Sequence, residues 1–211
     1  MHRNVVVDMD MQQTSSPSRS EARLRVEYDH RGRPHPHAKT HFGYLSDSDR
    51  VQAITDISLA REMGAAEINF HIPGEIQFVS MRNEPVGRSF MDFVCGVGQG
   101  AGIRVVWENA PLLTAPNWSL AEQTAFIPQG YDLCLDTGHL MLGASGRDEA
   151  LARIDAFMNE HGESVKHLHI HINDFQLDLH NNDPVEVITF LELERFKRLV
   201  EGRTYIFEKG L

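Results

Sequence analysis

The sequence has little cysteine, no long apolar run and no cluster of positive charge, and each shortage excludes a class of protein. Its two cysteines, Cys95 and Cys134, are too few for a disulfide framework and too far apart for a zinc-knuckle pattern. No apolar run approaches the roughly 18 residues of a membrane span, and the first residues lack the pattern of a signal peptide. We therefore expect one cytoplasmic domain, residues 1–211, that does not enter a membrane.

The charge balance argues against nucleic acid as a partner. The formal net charge is −10 with histidines neutral, and no basic run occurs. Proteins that bind nucleic acid through many phosphates normally present a basic face. In contrast, 30 acidic residues and 12 histidines supply the carboxylates and imidazoles that divalent cations prefer.

Short β-branched runs alternate with amphipathic stretches through most of the chain, which is typical of βα units and a parallel sheet. The predicted strands lie near residues 68–70, 103–107, 133–135, 165–172 and 204–207. The predicted helices cover residues 47–63, a segment from about 88, then 119–126, 148–161 and 184–200.

The first forty residues follow a different pattern. Residues 4–8 and 24–28 are predicted strands, but the segments after them have no helical period, and 34–37 is predicted to be an extended surface loop. With a strand near residue 40, the strand count matches the eight of a closed barrel, whose usual length is about 250 residues. We expect an abridged parallel (β/α)8 TIM-like barrel with an atypical part at 1–39, short or missing outer helices there and no final helix. Exposed faces of such a barrel could pair with a second copy in a homo-oligomer.

Five successive predicted strands end in a residue that can bind metal. They are His71, Glu108, Asp136, His171 and Glu208. In a parallel barrel the carboxyl ends of all strands meet at one mouth, so these side chains should converge. Imidazole together with carboxylate suits zinc, manganese or iron. The sequence therefore predicts a divalent metal centre at the mouth.

The order of these motifs resembles the xylose isomerase-like barrel superfamily, which includes sugar and sugar phosphate isomerases and epimerases and the endonuclease IV type of AP endonuclease. The segments that carry the resemblance are 41–44, 70–74, 108–111, 135–139, 171–174, 178–180 and 207–208. The resemblance covers the chain from about residue 40 to 208 and leaves out the first forty residues.

The resemblance implies one to three ions, zinc or manganese. In the endonuclease branch the matching positions hold three ions, and all nine are present here: His41, His71, Glu108, Asp136, His139, His171, Asp178, His180 and Glu208. In the epimerase branch one ion is held by the equivalents of Glu108, Asp136, His171 and Glu208. There Glu108 and Glu208 would be the catalytic residues that move a sugar proton, with His71 and His139 as candidate substrate-binding residues.

Three functions remain open on the sequence. The first is a metal-dependent isomerase or epimerase that passes a proton between two glutamates through an enediol-type intermediate. The second is an endonuclease-type multi-zinc phosphodiesterase, which the full ligand set favours, although the acidic charge and the absence of early DNA-binding loops oppose it. The third is a metal-binding barrel without catalysis. The segment 181–184 also replaces a Gly-rich turn that is usual in the family.

Four further residues have less specific predictions. His167 and His169 share a strand face with His171 and should lie deeper, as hydrogen-bonded interior layers. Asp174 is predicted either to orient His171 or to be a plain turn residue. Trp107 should point outward and pack against the helices.

Overall fold

A seven-stranded sheet forms the centre of the fold in the computed structural model, which describes residues 24–38, 47–73, 84–109, 127–177 and 179–208. The strands follow one another in chain order across the sheet: β1 (Arg25–Tyr28), β2 (Pro34–Ala38), β3 (Glu67–His71), β4 (Arg104–Glu108), β5 (Leu133–Asp136), β6 (Val165–Ile170) and β7 (Thr204–Phe207). All neighbouring pairs from β2 to β7 are parallel. The predicted α/β class and TIM-like architecture are therefore confirmed.

The first pair of strands differs from a regular barrel because β1 runs antiparallel to β2. The turn that joins them reaches the opposite edge of the sheet, where the backbone N–H of His30 donates to the carbonyl of Tyr205 at 2.9 Å. The rings of His30 and Tyr205 stack with centroids 4.2 Å apart. These contacts bring the edge formed by β1 and β2 against β7, so the described strands nearly close into a barrel.

The prediction that residues 34–37 form a surface loop is wrong. They belong to β2, and the side chain of His35 is only 1% exposed. Proline cannot donate a ladder hydrogen bond, which argues against a central strand. Here β2 pairs with β3 only through His37 and Ala38, beyond both prolines, so the proline part of the strand has a single partner, β1.

A complete (β/α)8 barrel has eight outer helices, and the described residues contain six helices. They are α1 (Asp47–Glu62), α2 (Glu84–Ala101), α3 (Thr137–Met141), α4 (Arg147–His161), α5 (Pro184–Leu191) and α6 (Leu193–Val200). None of these six is both long enough and apolar enough to cross a membrane.

The helix predictions match in place but not always in extent. The helices α1 and α4 lie where the apolar periodicity puts them, whereas α2 begins at Glu84, before the predicted start near residue 88. The predicted last helix is two helices, because Glu192 has a φ of 67° and breaks the helical path. The short helix α3 was not predicted. The strand predicted at 4–8, the one near residue 40 and the helix at 119–126 lie outside the described residues.

The outward faces of the strands pack against the helices and form the apolar core. Trp107 on β4 is fully buried beside Phe90 of α2, and its ring N–H donates to Sγ of Cys95 at 3.4 Å. The prediction that Trp107 packs outward is confirmed. Cys134 is also fully buried, but it lies beside Glu108 and His169 and not in this core, and burial raises the pKa of its thiol to about 12.

Candidate metal centre

Three carboxylates and one imidazole meet inside the barrel near the carboxyl ends of four strands. Glu108 ends β4, Asp136 ends β5, His169 lies on β6 and Glu208 directly follows β7. All four are buried, and one ligand atom of each lies within 4.8 Å of the others. We call these four residues the mouth cluster.

The distances within the mouth cluster are those of groups that face a common point. Nδ1 of His169 is 3.3 Å from Oε2 of Glu108, 3.3 Å from Oε2 of Glu208 and 4.0 Å from Oδ2 of Asp136. Neither Oε2 of Glu208 nor Nδ1 of His169 makes a hydrogen bond within the described part of the chain. Ligands at about 2.1 Å from a tetrahedral ion are roughly 3.4 Å apart. The donor set and its spacing therefore fit a divalent ion of the zinc or manganese class.

A group of three imidazoles lies next to the mouth cluster. His139, His171 and His180 offer ring nitrogens that are all within 4.8 Å of one another. Nε2 of His171 is 2.9 Å from Oδ1 of Asp136, so the carboxylate joins the two groups. The rings of His171 and His180 stack with centroids 4.3 Å apart.

The local backbone explains how these imidazoles are placed. The carboxylate of Asp136 accepts the backbone N–H of His139 at 2.8 Å and so caps the short helix α3. His139 then donates its Nδ1–H to the carbonyl of Asn109 at 2.7 Å, which leaves Nε2 as its ligand atom. His180 has a φ of 47°, a left-handed conformation that histidine adopts more readily than most residues, beside the bridge between Ile172 and Asn181.

Gly138 is required by the position of His171. A Cβ at residue 138 would stand 2.5 Å from Nε2 of His171 and closer still to two other ring atoms. The hydroxyl of Thr137 donates a hydrogen bond to the backbone carbonyl of His171 at 3.0 Å and so fixes the backbone of His171. Glycine at position 138 thus lets the imidazole of His171 pack closely against the start of α3.

Polar neighbours orient the carboxylates. Asn69 donates from its side-chain amide to Oε2 of Glu108. Asn109 exchanges two hydrogen bonds with the backbone of Asp136, at 2.8 and 3.2 Å. Arg25 donates from Nη1 to Oε1 of Glu208 at 3.2 Å, which leaves Oε2 turned to the cluster.

The electrostatics keep the carboxylates ionised. Burial raises the pKa of Asp136, but the adjacent His139 and His171 lower it more, to about 2. Burial likewise raises the pKa values of Glu108 and Glu208, and the neighbouring His169 outweighs it and holds both below their usual range. Several buried negative charges so close together need positive charge nearby, which either imidazolium or a metal ion supplies.

Seven of the nine ligands implied by the resemblance lie in the described residues, at the mouth. Of these, His71 is the most exposed, with 31% of its side chain accessible, and its Nε2 is 3.4 Å from Oε2 of Glu108. The remaining two, His41 and Asp178, lie outside the described residues. The four-residue cluster contains His169 where the resemblance gives His171, so the predicted single-ion set stays a prediction.

The other polar residues named in the sequence analysis lie outside the mouth cluster. Asp174 is exposed and accepts the backbone N–H groups of Gln176 and Leu177, so it is a turn residue and does not orient His171. His167 lies deeper than the mouth, as predicted, and bonds to Glu67. The burial of His35 and the partial burial of His37 were not predicted, because alternation with proline conceals a strand.

Solved structures of other proteins share the fold of this chain. No protein-family model matches the sequence, and no curated protein matches it. A TTHB071 protein from Thermus thermophilus, soaked with ZnCl2, superposes with a TM-score of 0.52 at 19% identity, over 82% of this chain and 70% of that one. A D-tagatose 3-epimerase-like protein superposes with a TM-score of 0.52 at 16% identity, over 77% of this chain and 66% of that one.

A xylose isomerase domain protein from Planctomyces limnophilus also matches, with a TM-score of 0.37 at 15% identity, over 61% of this chain and 45% of that one. This chain shares its fold with the first two proteins and spans about two thirds of their length. At this level of identity the likeness extends to the architecture and not to the chemistry. The chain shares the barrel fold of the first two proteins, and buried His, Glu and Asp groups at its mouth could hold metal.

Proposed function

We propose that this protein is a divalent-metal-dependent isomerase or epimerase of a sugar or sugar phosphate. The observation that carries the proposal is the mouth cluster, in which three buried carboxylates and an imidazole face one point. Its carboxylates would hold the ion together with the imidazole of His171 or His169. When bound, a divalent ion polarises the carbonyl and the neighbouring hydroxyl of a sugar, which acidifies the C–H between them.

Glu108 and Glu208 are the proposed acid–base pair. Each has one oxygen held by a neighbour, Asn69 for Glu108 and Arg25 for Glu208, so each carboxylate is fixed in orientation. Oε2 of Glu208 makes no hydrogen bond within the described residues and is the atom that would accept the proton. Since both carboxyls have lowered pKa values, Glu208 is ionised at neutral pH and can act as the base, and the carboxylic acid formed when it takes the proton would return that proton to the sugar. Glu108 would donate from the opposite face only after it has itself taken up a proton.

Solvent hydrogen exchange tests this function directly. Protein loaded with saturating Mn²⁺ or Zn²⁺ is incubated in deuterated water with a panel of ketoses and ketose phosphates, and deuterium at carbon is read by mass spectrometry. We expect exchange with at least one sugar, and a loss of about 10²- to 10⁴-fold in Glu208→Gln. The exposed Glu194, which pairs with Lys197, provides a matched control, since Glu194→Gln should keep the wild-type rate. Metal-loaded wild type that exchanges no sugar would contradict the proposal.

The imidazole group beside the mouth cluster supports one alternative, a multi-zinc phosphodiesterase. His139, His171 and His180 could hold a further ion next to the first. Two ions a few ångströms apart can position a hydroxide and stabilise the leaving oxygen of a phosphodiester. The net charge of −10 opposes a nucleic acid substrate. Hydrolysis of abasic DNA by the zinc-loaded protein, without exchange into sugars, would establish this alternative.

A further inference from the structure

A second group of buried histidines extends from His169, near the carboxyl end of β6, deeper into the barrel. It consists of His35 on β2 and of His167 and His169 on β6, with Glu67 at the start of β3 beside them. The exposed fraction is 1% for His35 and 0% for His167 and His169. We call the three imidazoles the floor cluster. The proposed chemistry at the mouth uses neither His35 nor His167.

Glu67 lies beside the rings of both His35 and His167. Its Oε1 is 2.8 Å from Nδ1 of His167 and 3.6 Å from Nδ1 of His35, and it accepts the hydroxyl of Thr204 at 2.7 Å. A carboxylate accepts hydrogen bonds, so His167 turns an Nδ1–H toward Glu67 and keeps its lone pair on Nε2. Nδ1 of His35 faces the same oxygen but makes no hydrogen bond within the described part of the chain.

His169 completes the cluster from the other side. Its Nδ1 faces the carboxylates of Glu108 and Glu208, at 3.3 Å each, and its Nε2 is 3.4 Å from Nε2 of His35. Nε2 of His167 is buried and makes no hydrogen bond within the described part of the chain. One ring nitrogen from each of the three residues lies within 4.8 Å of the others.

This arrangement suits a cation. Two buried ring nitrogens that face each other must either share a proton or bind a common ion, because two facing lone pairs repel. Two imidazole ligands on a tetrahedral zinc ion are roughly 3.4 Å apart, which is the separation of the two Nε2 atoms of His35 and His169. The carboxylates behind the rings are the partners that metal-bound histidines usually have.

We propose that His35, His167 and His169 bind a zinc-class transition-metal ion in the floor of the barrel, separate from the ion at the mouth. A neutral imidazole has one lone pair, so His169 serves the floor ion through Nε2 and turns its Nδ1–H toward the mouth carboxylates, 3.3 Å away. The mouth ion then takes His171 as its imidazole. The rings of His35 and His167 stack at 3.6 Å, and binding requires them to turn their Nε2 atoms toward the same point.

The test counts ions in full-length protein whose mouth site is disabled. Asp136→Asn combined with His171→Gln removes two mouth ligands, while Asn keeps an oxygen that can cap α3. This protein is stripped, loaded with Zn²⁺ or Co²⁺ alone, and analysed for metal per chain. We expect one ion to remain, and adding His35→Gln or His167→Gln to remove it. Glu67→Gln should weaken it by about 10- to 100-fold. His161→Gln, a change at a buried histidine of α4, is the matched control and should retain the ion.

A measurement on the wild type covers the case in which a variant fails to fold. With Co²⁺ in the floor site, proton NMR should show shifted, solvent-exchangeable imidazole N–H signals beyond those of the mouth ion, and the added signals should vanish in His35→Gln. A mouth-disabled protein that folds and binds no ion overturns the proposal, as does an ion that persists in His35→Gln. Because the readout is metal content, failure here leaves the sugar exchange assay of the mouth site unaffected.

Discussion

Replacing Gly138 by alanine tests whether the position of His171 determines metal binding. The added Cβ would lie 2.5 Å or less from the ring, whereas ordinary carbon contacts are 3.5–4.0 Å, so the imidazole must move by about 1 Å or more. That displacement breaks the 2.9 Å contact between Nε2 of His171 and Asp136. Loss of a buried hydrogen bond to a charged group costs about 1.5–3 kcal/mol, and alanine in a helix returns at most about 1 kcal/mol.

We therefore expect Gly138→Ala to lower the free energy of unfolding by roughly 1–2 kcal/mol and to weaken zinc binding about 10- to 100-fold. Urea unfolding and zinc titration against a chelator measure the two effects. Gly96→Ala in α2 is the matched control, since no atom lies within 4 Å of its added Cβ and the helix should gain about 0.5–1 kcal/mol. The reasoning is refuted if Gly138→Ala matches this control in stability and keeps wild-type zinc affinity.

Three further predictions concern stability. Burial raises the pKa of Asp56 in α1 to about 6, although the hydrogen bond from Gln52 opposes it, so the folded state binds this proton more tightly than the unfolded state does. The stability that this proton contributes is lost as the pH rises from about 4 to 6. The free energy of unfolding of Asp56→Asn should therefore exceed that of the wild type by up to about 3 kcal/mol at pH 7 and by little near pH 4. An equal gain at the two pH values, measured by urea unfolding, would contradict this reasoning. Trp107→Phe removes buried volume and the bond to Cys95, and we expect it to cost about 1–3 kcal/mol while zinc affinity stays the same; a parallel loss of zinc affinity would argue against separate outer and inner faces. Zinc at 100 times its dissociation constant should add about 2.7 kcal/mol per independent site to the stability of stripped protein, and a thermal melt that ignores zinc would mean that no site forms.

The parallel part of the sheet was predictable because its strands are buried on both faces. Runs such as 103–107 and 204–207 are rich in β-branched and aromatic residues, and β4 and β7 lie there within one residue at either end. The carboxyl ends of these strands were also predictable, because an ionisable residue directly after an apolar run marks the point where the buried strand ends. Glu108 and Asp136 therefore identify the mouth from sequence alone.

The first hairpin could not be predicted because its burial depends on distant partners. His35 is buried against Glu67 and His167, which are far from it in sequence, and proline on both sides of it suggests an exposed loop. The short helix α3 was missed because it depends on a cap from Asp136 and is too brief for a periodic pattern. These features follow from tertiary contacts that local propensity does not encode.

The inward face of β6 explains why metal and stability should be linked in this protein. His167 and His169 on β6 and His171 directly after it follow at every second position, so they form a column from the floor to the mouth, and the ring centroids of His167 and His169 are 5.4 Å apart. Glu67 pairs with the lower end of this column, and Glu208 lies beside its middle. Apolar layers usually fill a small parallel barrel, and they would avoid the cost of burying charged groups. A column of imidazoles and carboxylates is stable only when positive charge balances it, so cations bound along the column should stabilise the fold itself.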